Sequence, residues 1–201
     1  MFIAIEGIDG AGKTSVSKMI ANNLGYEYSS QKALSSYMSI EENVYLEYCH
    51  NYREQVCSDH TSMFMLYSLS CFLSGRKPNV VCDRHLPTVY FWYGNETSLI
   101  VAETIYRISK KPDITFLLNV GVDTATERIR KKWLNGEITE HEYSRDLIKA
   151  KSASNFVQEV IPFLYHFNLK YVIIDANEKS LADVVSEIML MIGKTKFLLP
   201  T

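Results

Sequence analysis

Short apolar runs alternate along the chain with longer segments in which apolar positions recur at helical spacing. The apolar runs have strand length and almost no polar interruption, which is typical of strands buried on both faces of a parallel sheet. We predict strands at 2–6, 79–82, 113–119 and 170–174, with a short further strand at 25–29. The alternation predicts an α/β fold of three layers, in which a parallel sheet of roughly five strands has helices on both faces.

The first helix is predicted from Val16, Ile20 and Leu24, which share one helical face, and Gly25 is placed to end it. Ser39 and Glu42 have the spacing of a capping box, in which each side chain satisfies a backbone N–H at a helix start. Apolar periodicity predicts further helices at about 40–57, 59–75, 96–110, 122–134, 152–167 and 180–193.

The segment 135–150, NGEITEHEYSRDLIKA, is polar and charged between two predicted helices. Such a segment is a candidate for a mobile flap. We find no repeat, low-complexity segment or linker, so the sequence predicts a single domain over 1–201 with a mobile flap at about 131–150.

Composition narrows the range of partners. The chain has 201 residues and a formal net charge of −2, so no basic surplus favours nucleic acid or an anionic membrane as the main partner. None of the four cysteines forms a CxxC pair, which favours buried thiols over a metal site. No stretch approaches the ~20 apolar residues of a membrane helix. We therefore expect a cytoplasmic protein whose phosphate-binding groups, if any, are local.

Gly7, Gly12, Lys13 and Thr14 fit the pattern G-x-x-x-x-G-K-[ST], between a predicted strand and an amphipathic helix. Glycines let successive backbone N–H groups turn toward phosphate oxygens, and the helix N-terminus adds partial positive charge. Lys13 is placed to reach the β and γ phosphates, and the Thr14 hydroxyl to bind Mg²⁺. The pattern predicts binding of ATP or GTP together with magnesium.

This loop alone does not separate a kinase from a GTPase or a motor. The guanine-reading pattern N-K-x-D is not supplied by NVGVD at 119–123. A chain of this length without an appended domain favours a compact kinase acting on a small molecule.

Four segments in order resemble the thymidylate kinase family of nucleoside monophosphate kinases. They are FIAIEGIDGAGKT at the start, VVCDRH at 80–85, KPDITFLLNVGVDTATERIRKK at 111–132 and VIIDANEKSLADVV at 172–185. The resemblance runs over nearly the whole chain. It implies the P-loop kinase fold, with Mg²⁺ as cofactor and ATP as phosphate donor.

The resemblance assigns catalytic roles to Lys13, Arg84, Asp9 and Asp83. Arg84 is expected to reach both the acceptor phosphate and the donor γ-phosphate, because its planar fork suits two anions. Asp83 joins Thr14 at the metal, and Asp9 orients Arg84 or the acceptor sugar. The implied ATP contacts are Gly7, Asp9, Gly10, Ala11, Gly12, Lys13, Thr14, Ser15, Arg128, Ala176 and Asn177.

Several cations flank or enter the predicted flap, namely Arg128, Arg130, Lys131, Lys132 and Arg145. One or two of them are expected to close over the phosphates and to add positive charge to the transition state. The sequence leaves open which of them does so.

The chain departs from the family pattern where the acceptor would bind. The family's Glu-Pro-Gly-Gly run is replaced by SSQKALSSYMS, and Ser68 stands where the family has an arginine that holds the acceptor phosphate. Arg53 or Arg76 could replace that arginine. The predicted acceptor contacts are Phe64, Arg84, Thr88 and Trp92. The aromatic residues that could sandwich a flat base, or pack in the core instead, are Phe64, Tyr67, Tyr90, Phe91, Trp92 and Tyr93.

The sequence therefore predicts an enzyme that moves the γ-phosphate of Mg-ATP to a nucleoside monophosphate, with dTMP or a related pyrimidine nucleotide as the leading acceptor. Two alternatives stay open: a kinase of the same fold that acts on a nucleoside or another specialised acceptor, and a non-catalytic regulator that binds ATP. Homodimer formation through Met63, Leu66 and Leu69 is also left open, as core packing explains that apolar face equally well.

Overall fold

The computed structural model describes residues 1–30, 33–41, 44 and 60–196 of the chain. Its centre is a parallel sheet of five strands in the order β2-β3-β1-β4-β5. The strands are β1 (Phe2–Gly7), β2 (Glu27–Ser30), β3 (Val80–Asp83), β4 (Ile114–Asn119) and β5 (Tyr171–Asp175). The predicted fold class is confirmed, and each strand begins and ends within two residues of its predicted range.

The helices pack on the two faces of this sheet. They are α1 (Lys13–Leu24), α2 (Ala33–Tyr37), α3 (His60–Gly75), α4 (Leu86–Tyr93), α5 (Glu96–Ile108), α6 (Val122–Leu134), α7 (Glu140–Ser152), α8 (Phe156–His166) and α9 (Leu181–Lys196). Gly25 ends α1 in a left-handed conformation, as predicted. Most of the predicted helix at 40–57, including Glu42 of its capping box, lies outside the described residues.

Two helices near the site were not predicted. The run that forms α4 is apolar or aromatic apart from Thr88, so it carries no helical period, and its helix signal is Pro87 in the first turn. The predicted flap segment contains α7, which starts with a capping box between Thr139 and Glu142. Trp133 of α6 stacks on Tyr143 of α7 at 4.7 Å between ring centroids. The segment 135–150 is thus mostly helix rather than loop, and its mobility stays a prediction.

The core lies on both sides of β1 and β4, whose residues are almost all buried because helices cover both faces. Phe64 is fully buried there and meets the ring of Tyr90 edge-on at 6.3 Å. Phe91 packs edge-on against Phe156 of α8 at 5.0 Å. Core packing therefore explains these aromatic residues. Cys71 and Cys82 are buried thiols, whereas Cys49 and Cys57 lie outside the described residues.

The face offered for dimer formation is not continuous. Met63 is buried in the core, and Leu69 of the same helix is exposed. Met63 is therefore not available for a dimer contact, and dimer formation through Leu66 and Leu69 stays a prediction. Over the part of the chain that the structure describes, no helix has the length and apolar character needed to cross a membrane.

Strand register brings the site together. Ile5 of β1 lies beside Asp83 at the end of β3, and Gly7 lies beside Leu118 near the end of β4. Because all strands are parallel, their carboxyl ends form one edge of the sheet, where α/β proteins bind ligands. The glycine-rich loop and the Asp-Arg pair after β3 therefore meet at the same edge.

Candidate active site

The glycine-rich loop follows β1 and ends where α1 begins at Lys13. Gly10 and Gly12 have φ of 83° and 92°, which side-chain-bearing residues rarely adopt. A Cβ on Gly10 would lie 2.5 Å from the carbonyl oxygen of Ala125 on α6, so no side chain fits there. A Cβ on Gly12 would meet nothing within 4 Å. The loop thus needs Gly10 for space and conformation, and Gly12 for conformation alone.

Lys13 is buried inside the loop, and its ammonium donates to the Ile8 carbonyl oxygen at 2.5 Å. The same group lies 4.0 Å from the Asp9 carboxylate. Burial first, and then the charge of Arg84, lower the pKa of Lys13 to about 8, while Asp9 acts in the opposite direction. The ammonium is therefore held in place before any phosphate arrives.

Arg84 and Asp9 form a largely buried ion pair, in which the guanidinium donates to Asp9 Oδ1. Burial by itself raises the pKa of Asp9, but the charges of Arg84 and Lys13 outweigh it and hold that pKa well below its ordinary value. Arg84 has φ of 72°, a conformation that costs a non-glycine residue about 1–2 kcal/mol. The structure thus brings three of the predicted catalytic residues together at the loop.

Glu6 holds the turn that follows Arg84, a role that was not predicted. This carboxylate is fully buried and accepts from the His85 N–H at 2.9 Å and from the Thr88 hydroxyl. Burial raises the pKa of Glu6 to about 7, against the smaller effects of these hydrogen bonds. A carboxylate near the end of a strand that is otherwise apolar is the signal that could have indicated this role, because such a group is buried and needs donors nearby.

The predicted metal residues are in contact. The Thr14 hydroxyl donates to Asp83 Oδ2 at 2.5 Å, and the Tyr28 hydroxyl donates to the same oxygen at 3.2 Å. Asp83 Oδ1 is buried and has no hydrogen-bond partner among the described residues. Tyr28, on the neighbouring strand β2, was not predicted as a site residue.

Arg128 connects the two sides of the predicted adenine site. Its guanidinium donates to the carbonyl oxygens of Ala176 at 2.7 Å and Asn177 at 3.2 Å, and more weakly to that of Ala11 at 3.5 Å. The Asn177 side chain accepts from the Gly121 N–H at 2.7 Å. Arg128 therefore links Ala176 and Asn177 to the glycine-rich loop. Ser15 is exposed in the first turn of α1.

The other predicted flap cations point to acidic neighbours on their own helices. Arg130 and Lys131 both lie within 4 Å of Glu127, and Arg145 pairs with Asp146 at 2.9 Å. Lys132 is exposed. The structure instead places Lys149 of α7 near the site, with its ammonium 5.5 Å from the ring centroid of Trp92. Burial lowers the pKa of Lys149, while the charge of Asp9 raises it.

The predicted acceptor residues are less well placed than the donor residues. Phe64 is fully buried, and the Thr88 hydroxyl is engaged by Glu6. Ser68 is buried, and its hydroxyl has no partner among the residues described. Trp92 is half-buried, with its ring edge-on to Phe91 at 4.8 Å.

Two arginines, Arg53 and Arg76, were predicted as possible replacements for the arginine that the family has at the position of Ser68. The described residues place neither of them at the acceptor site. Arg76 follows the end of α3 and precedes β3, so it lies at the amino edge of the sheet, opposite the site. Its neighbour Lys77 pairs there with Glu27 at the start of β2, at 2.5 Å. The suggestion that Arg76 reaches the acceptor is therefore wrong. Arg53 lies outside the described residues.

Comparison with known proteins agrees with this geometry. The family model "Thymidylate kinase" matches residues 71–188, which is more than half of the chain. A protein of Archaeoglobus fulgidus named "Probable thymidylate kinase" is 30% identical over 94% of this chain and 92% of its own length. The "Thymidylate kinase" of Brachyspira hyodysenteriae is 27% identical over 98% of this chain and 95% of its own.

Solved structures support the fold. Deoxyadenosine kinase from M. mycoides with bound dATP matches with a TM-score of 0.61 at 23% identity, covering 96% of this chain and all of that one. Shikimate kinase from Aquifex aeolicus matches with a TM-score of 0.54 at 14% identity, covering 98% of this chain and 99% of the other. These likenesses show the P-loop kinase fold alone. The family model and the relatives carry the assignment further: the chain belongs to the thymidylate kinase family and is a nucleoside monophosphate kinase.

Proposed function

We propose that this protein transfers the γ-phosphate of Mg-ATP to dTMP or a closely related pyrimidine monophosphate. The observation that carries this proposal is the cluster of Lys13, Asp9 and Arg84 beside the Thr14–Asp83 contact at one edge of the sheet. Phosphoryl transfer between two anions depends mainly on positioning and on neutralising charge, and this cluster supplies both.

Each residue of the cluster has a distinct task in this proposal. The loop N–H groups and Lys13 bind the β and γ phosphates, and Arg128 supports the turn that contacts adenine. Arg84 follows the end of β3, and Asp9 already holds its guanidinium in place. From there the guanidinium contacts both the donor and the acceptor phosphates. Asp9 therefore acts mainly by keeping Arg84 in position.

The residues present suit a magnesium ion. Asp83 Oδ1 is a buried carboxylate oxygen without a partner among the described residues, and the exposed Thr14 hydroxyl lies on the other oxygen of the same carboxylate. The described residues contain no group of three or more potential metal ligands. Mg²⁺ commonly binds through one or two carboxylates together with waters and substrate phosphates, so a larger group is not required. When bound, Mg²⁺ would neutralise charge on the phosphates.

The choice of dTMP follows from the names of the relatives that align over most of this chain. A second candidate is a nucleoside kinase, because buried Ser68 stands where the family has an arginine for the acceptor phosphate. A regulator that only binds ATP is less well supported, since such a protein has little need of Arg84 beside the loop. A cytoplasmic location, a role in nucleotide biosynthesis, and partners limited to small nucleotides are parts of the same proposal.

The test is a panel of acceptors with ADP release as the readout. The panel contains dTMP, dUMP, dCMP, AMP, thymidine and deoxyadenosine, each with Mg-ATP. We expect kcat/KM for dTMP to exceed that for thymidine by at least about 100-fold, because a site built for a phosphate loses charge-assisted contacts without it. A Lys13→Ala variant supplies the background rate. Faster reaction with either nucleoside would establish the second candidate instead.

A further inference from the structure

The backbone of Arg84 has an unusual conformation just after the end of β3. Its φ of 72° is left-handed, although Arg84 carries a side chain. Such a conformation costs a non-glycine residue about 1–2 kcal/mol, and it persists only where the surrounding contacts fix the backbone. The contacts of the two peptide groups that flank Arg84 therefore decide where its guanidinium lies.

The peptide group before Arg84 is held by the neighbouring strand. The Arg84 N–H donates to the carbonyl oxygen of Ile5 at 3.0 Å. Ile5 belongs to β1, and the register of β1 and β3 places it beside Asp83. This hydrogen bond extends the pairing of the two strands by one residue, so it depends on strand register and not on a particular side chain.

The peptide group between Arg84 and His85 is held by side chains at both of its polar atoms. The Cys82 thiol donates to the Arg84 carbonyl oxygen at 2.9 Å. On the other side of the same peptide group, the His85 N–H donates to Glu6 Oε1 at 2.9 Å. Cys82 of β3 and Glu6 of β1 are both buried. Two buried side chains from neighbouring strands therefore fix the orientation of this peptide plane.

The Cys82 thiol is suited to this contact. It has one proton to donate, and the Arg84 carbonyl oxygen at 2.9 Å is nearer than the Ser74 hydroxyl oxygen at 3.5 Å. Burial raises the pKa of Cys82 well above its ordinary value, so the sulfur keeps its proton and can donate. Cys71 of α3 is an equally buried thiol, but it reaches His85 through its backbone carbonyl oxygen, 3.3 Å from His85 Nε2.

We propose that Cys82 is a positioning residue for phosphoryl transfer, an inference that rests on the proposed function. Together with Glu6 it fixes the peptide after Arg84, and so keeps the guanidinium beside Asp9 at the glycine-rich loop. A cation that is fixed before the substrates bind needs no reorganisation in the transition state. Cys82 acts through the Arg84 backbone, so its loss should slow the chemical step and leave ATP binding intact.

The experiment compares Cys82→Ala with the unmodified chain. Steady-state ADP release gives kcat with whichever acceptor of the panel reacts fastest, and titration calorimetry gives the Kd for ATP. We expect kcat to fall by about 5- to 20-fold, because a small displacement of a positioned group lowers the rate steeply. The Kd for ATP should change by less than about twofold. Cys82→Ser should keep most of the rate, since a hydroxyl at this position also donates.

Cys71→Ala is the matched control, because it removes an equally buried thiol and leaves the carbonyl contact with His85 in place. We expect Cys71→Ala to keep kcat within about twofold of the unmodified value. A second test adds Cys82→Ala to Arg84→Ala. If Cys82 acts through Arg84, the added change should alter kcat by less than about twofold.

Three results would overturn the inference: an unchanged kcat in Cys82→Ala, an equal loss in Cys71→Ala, or an undiminished effect of Cys82→Ala when Arg84 is already replaced. Failure of the proposed function gives a different result. In that case a nucleoside reacts faster than every monophosphate of the panel, and the comparison of the cysteine variants is made with that nucleoside.

Discussion

The donor half and the acceptor half of the site are built in different ways. The donor half is one continuous loop, Gly7–Thr14, completed by two residues at the end of β3, and its side chains already contact one another. The acceptor half draws on α3 and α4, and two of its predicted residues are committed elsewhere: Phe64 to the core and Thr88 to Glu6. A site made from consecutive backbone is pre-formed by local geometry, whereas a site made from separate helices depends on tertiary packing.

Among changes to the donor half, we expect Lys13→Ala to have the largest effect on activity. We expect kcat/KM to fall by at least about 1,000-fold, or ~4 kcal/mol, because a fixed cation aimed at the transferring phosphate is lost. Steady-state ADP release measures the change. Lys170→Ala, at an exposed position just before β5 and thus at the opposite edge of the sheet, is the control and should stay within about twofold of the unmodified rate. If Lys13→Ala retained a tenth of the unmodified activity, the donor half would not be the catalytic centre.

A paired glycine substitution separates space from conformation in the loop. We expect Gly10→Ala to lower the free energy of unfolding by about 3 kcal/mol, since its Cβ would overlap the Ala125 carbonyl and its φ is positive. Gly12→Ala has the positive φ without the overlap, so we expect about 1 kcal/mol. Urea unfolding measures both. Equal losses would mean that the contact between the loop and α6 is unimportant.

The buried group between the two halves, Glu6, should give a pH-dependent stability. Its pKa is raised by burial from 4.5 to about 7, so its protonated form is favoured in the fold. This contribution is fully present below pH 4.5 and is lost as the pH rises toward 7, a change of at most about 3 kcal/mol. The measured quantity is the difference in unfolding free energy between the unmodified chain and Glu6→Gln, followed from pH 4.5 to 7.5.

The comparison with Glu6→Gln is needed because His85 changes the unfolding free energy with pH in the opposite direction. Burial lowers its pKa from 6.5 to about 4, so its contribution is present above pH 6.5 and is lost as the pH falls toward 4. The two slopes largely cancel in the unmodified chain between pH 4.5 and 6.5. If the difference between the unmodified chain and Glu6→Gln were constant over that range, Glu6 would not be the buried acid that the fold indicates.

The same contrast explains what the sequence could predict. Gly7, Gly12, Lys13 and Thr14 were identified because one short pattern fixes their backbone, and Arg128, Ala176 and Asn177 because the resemblance extends to β5. Glu6 and Tyr28 were missed. Each acts through a partner at least 55 positions away in sequence, such as Asp83 for Tyr28 and Thr88 for Glu6.

The elements follow the same rule. Strands with uninterrupted apolar runs were predicted within two residues, because burial on both faces of a parallel sheet leaves a clear pattern. Helix α4 was missed because its residues are nearly all apolar or aromatic, so that it has no polar face to reveal its period. The segment of helix α7 was predicted to be a flap because its exposed residues are nearly all polar. The only sequence signal for the start of this helix is the spacing of Thr139 and Glu142, which form a capping box.

The smallest expected effect tests whether the donor half depends on anything outside its own motif. Tyr28 on β2 donates to the Asp83 oxygen that also accepts from Thr14, and its loss leaves that oxygen with one donor. We expect Tyr28→Phe to weaken Mg²⁺ binding to the ATP complex by about three- to tenfold and to cost about 1 kcal/mol of stability. Calorimetric Mg²⁺ titration and urea unfolding measure the two effects. Tyr143→Phe, whose ring stacks on Trp133 away from Asp83, is the matched control. If both variants bind Mg²⁺ equally well, then Thr14 alone holds Asp83, and the donor half is as self-contained as its continuous sequence suggests.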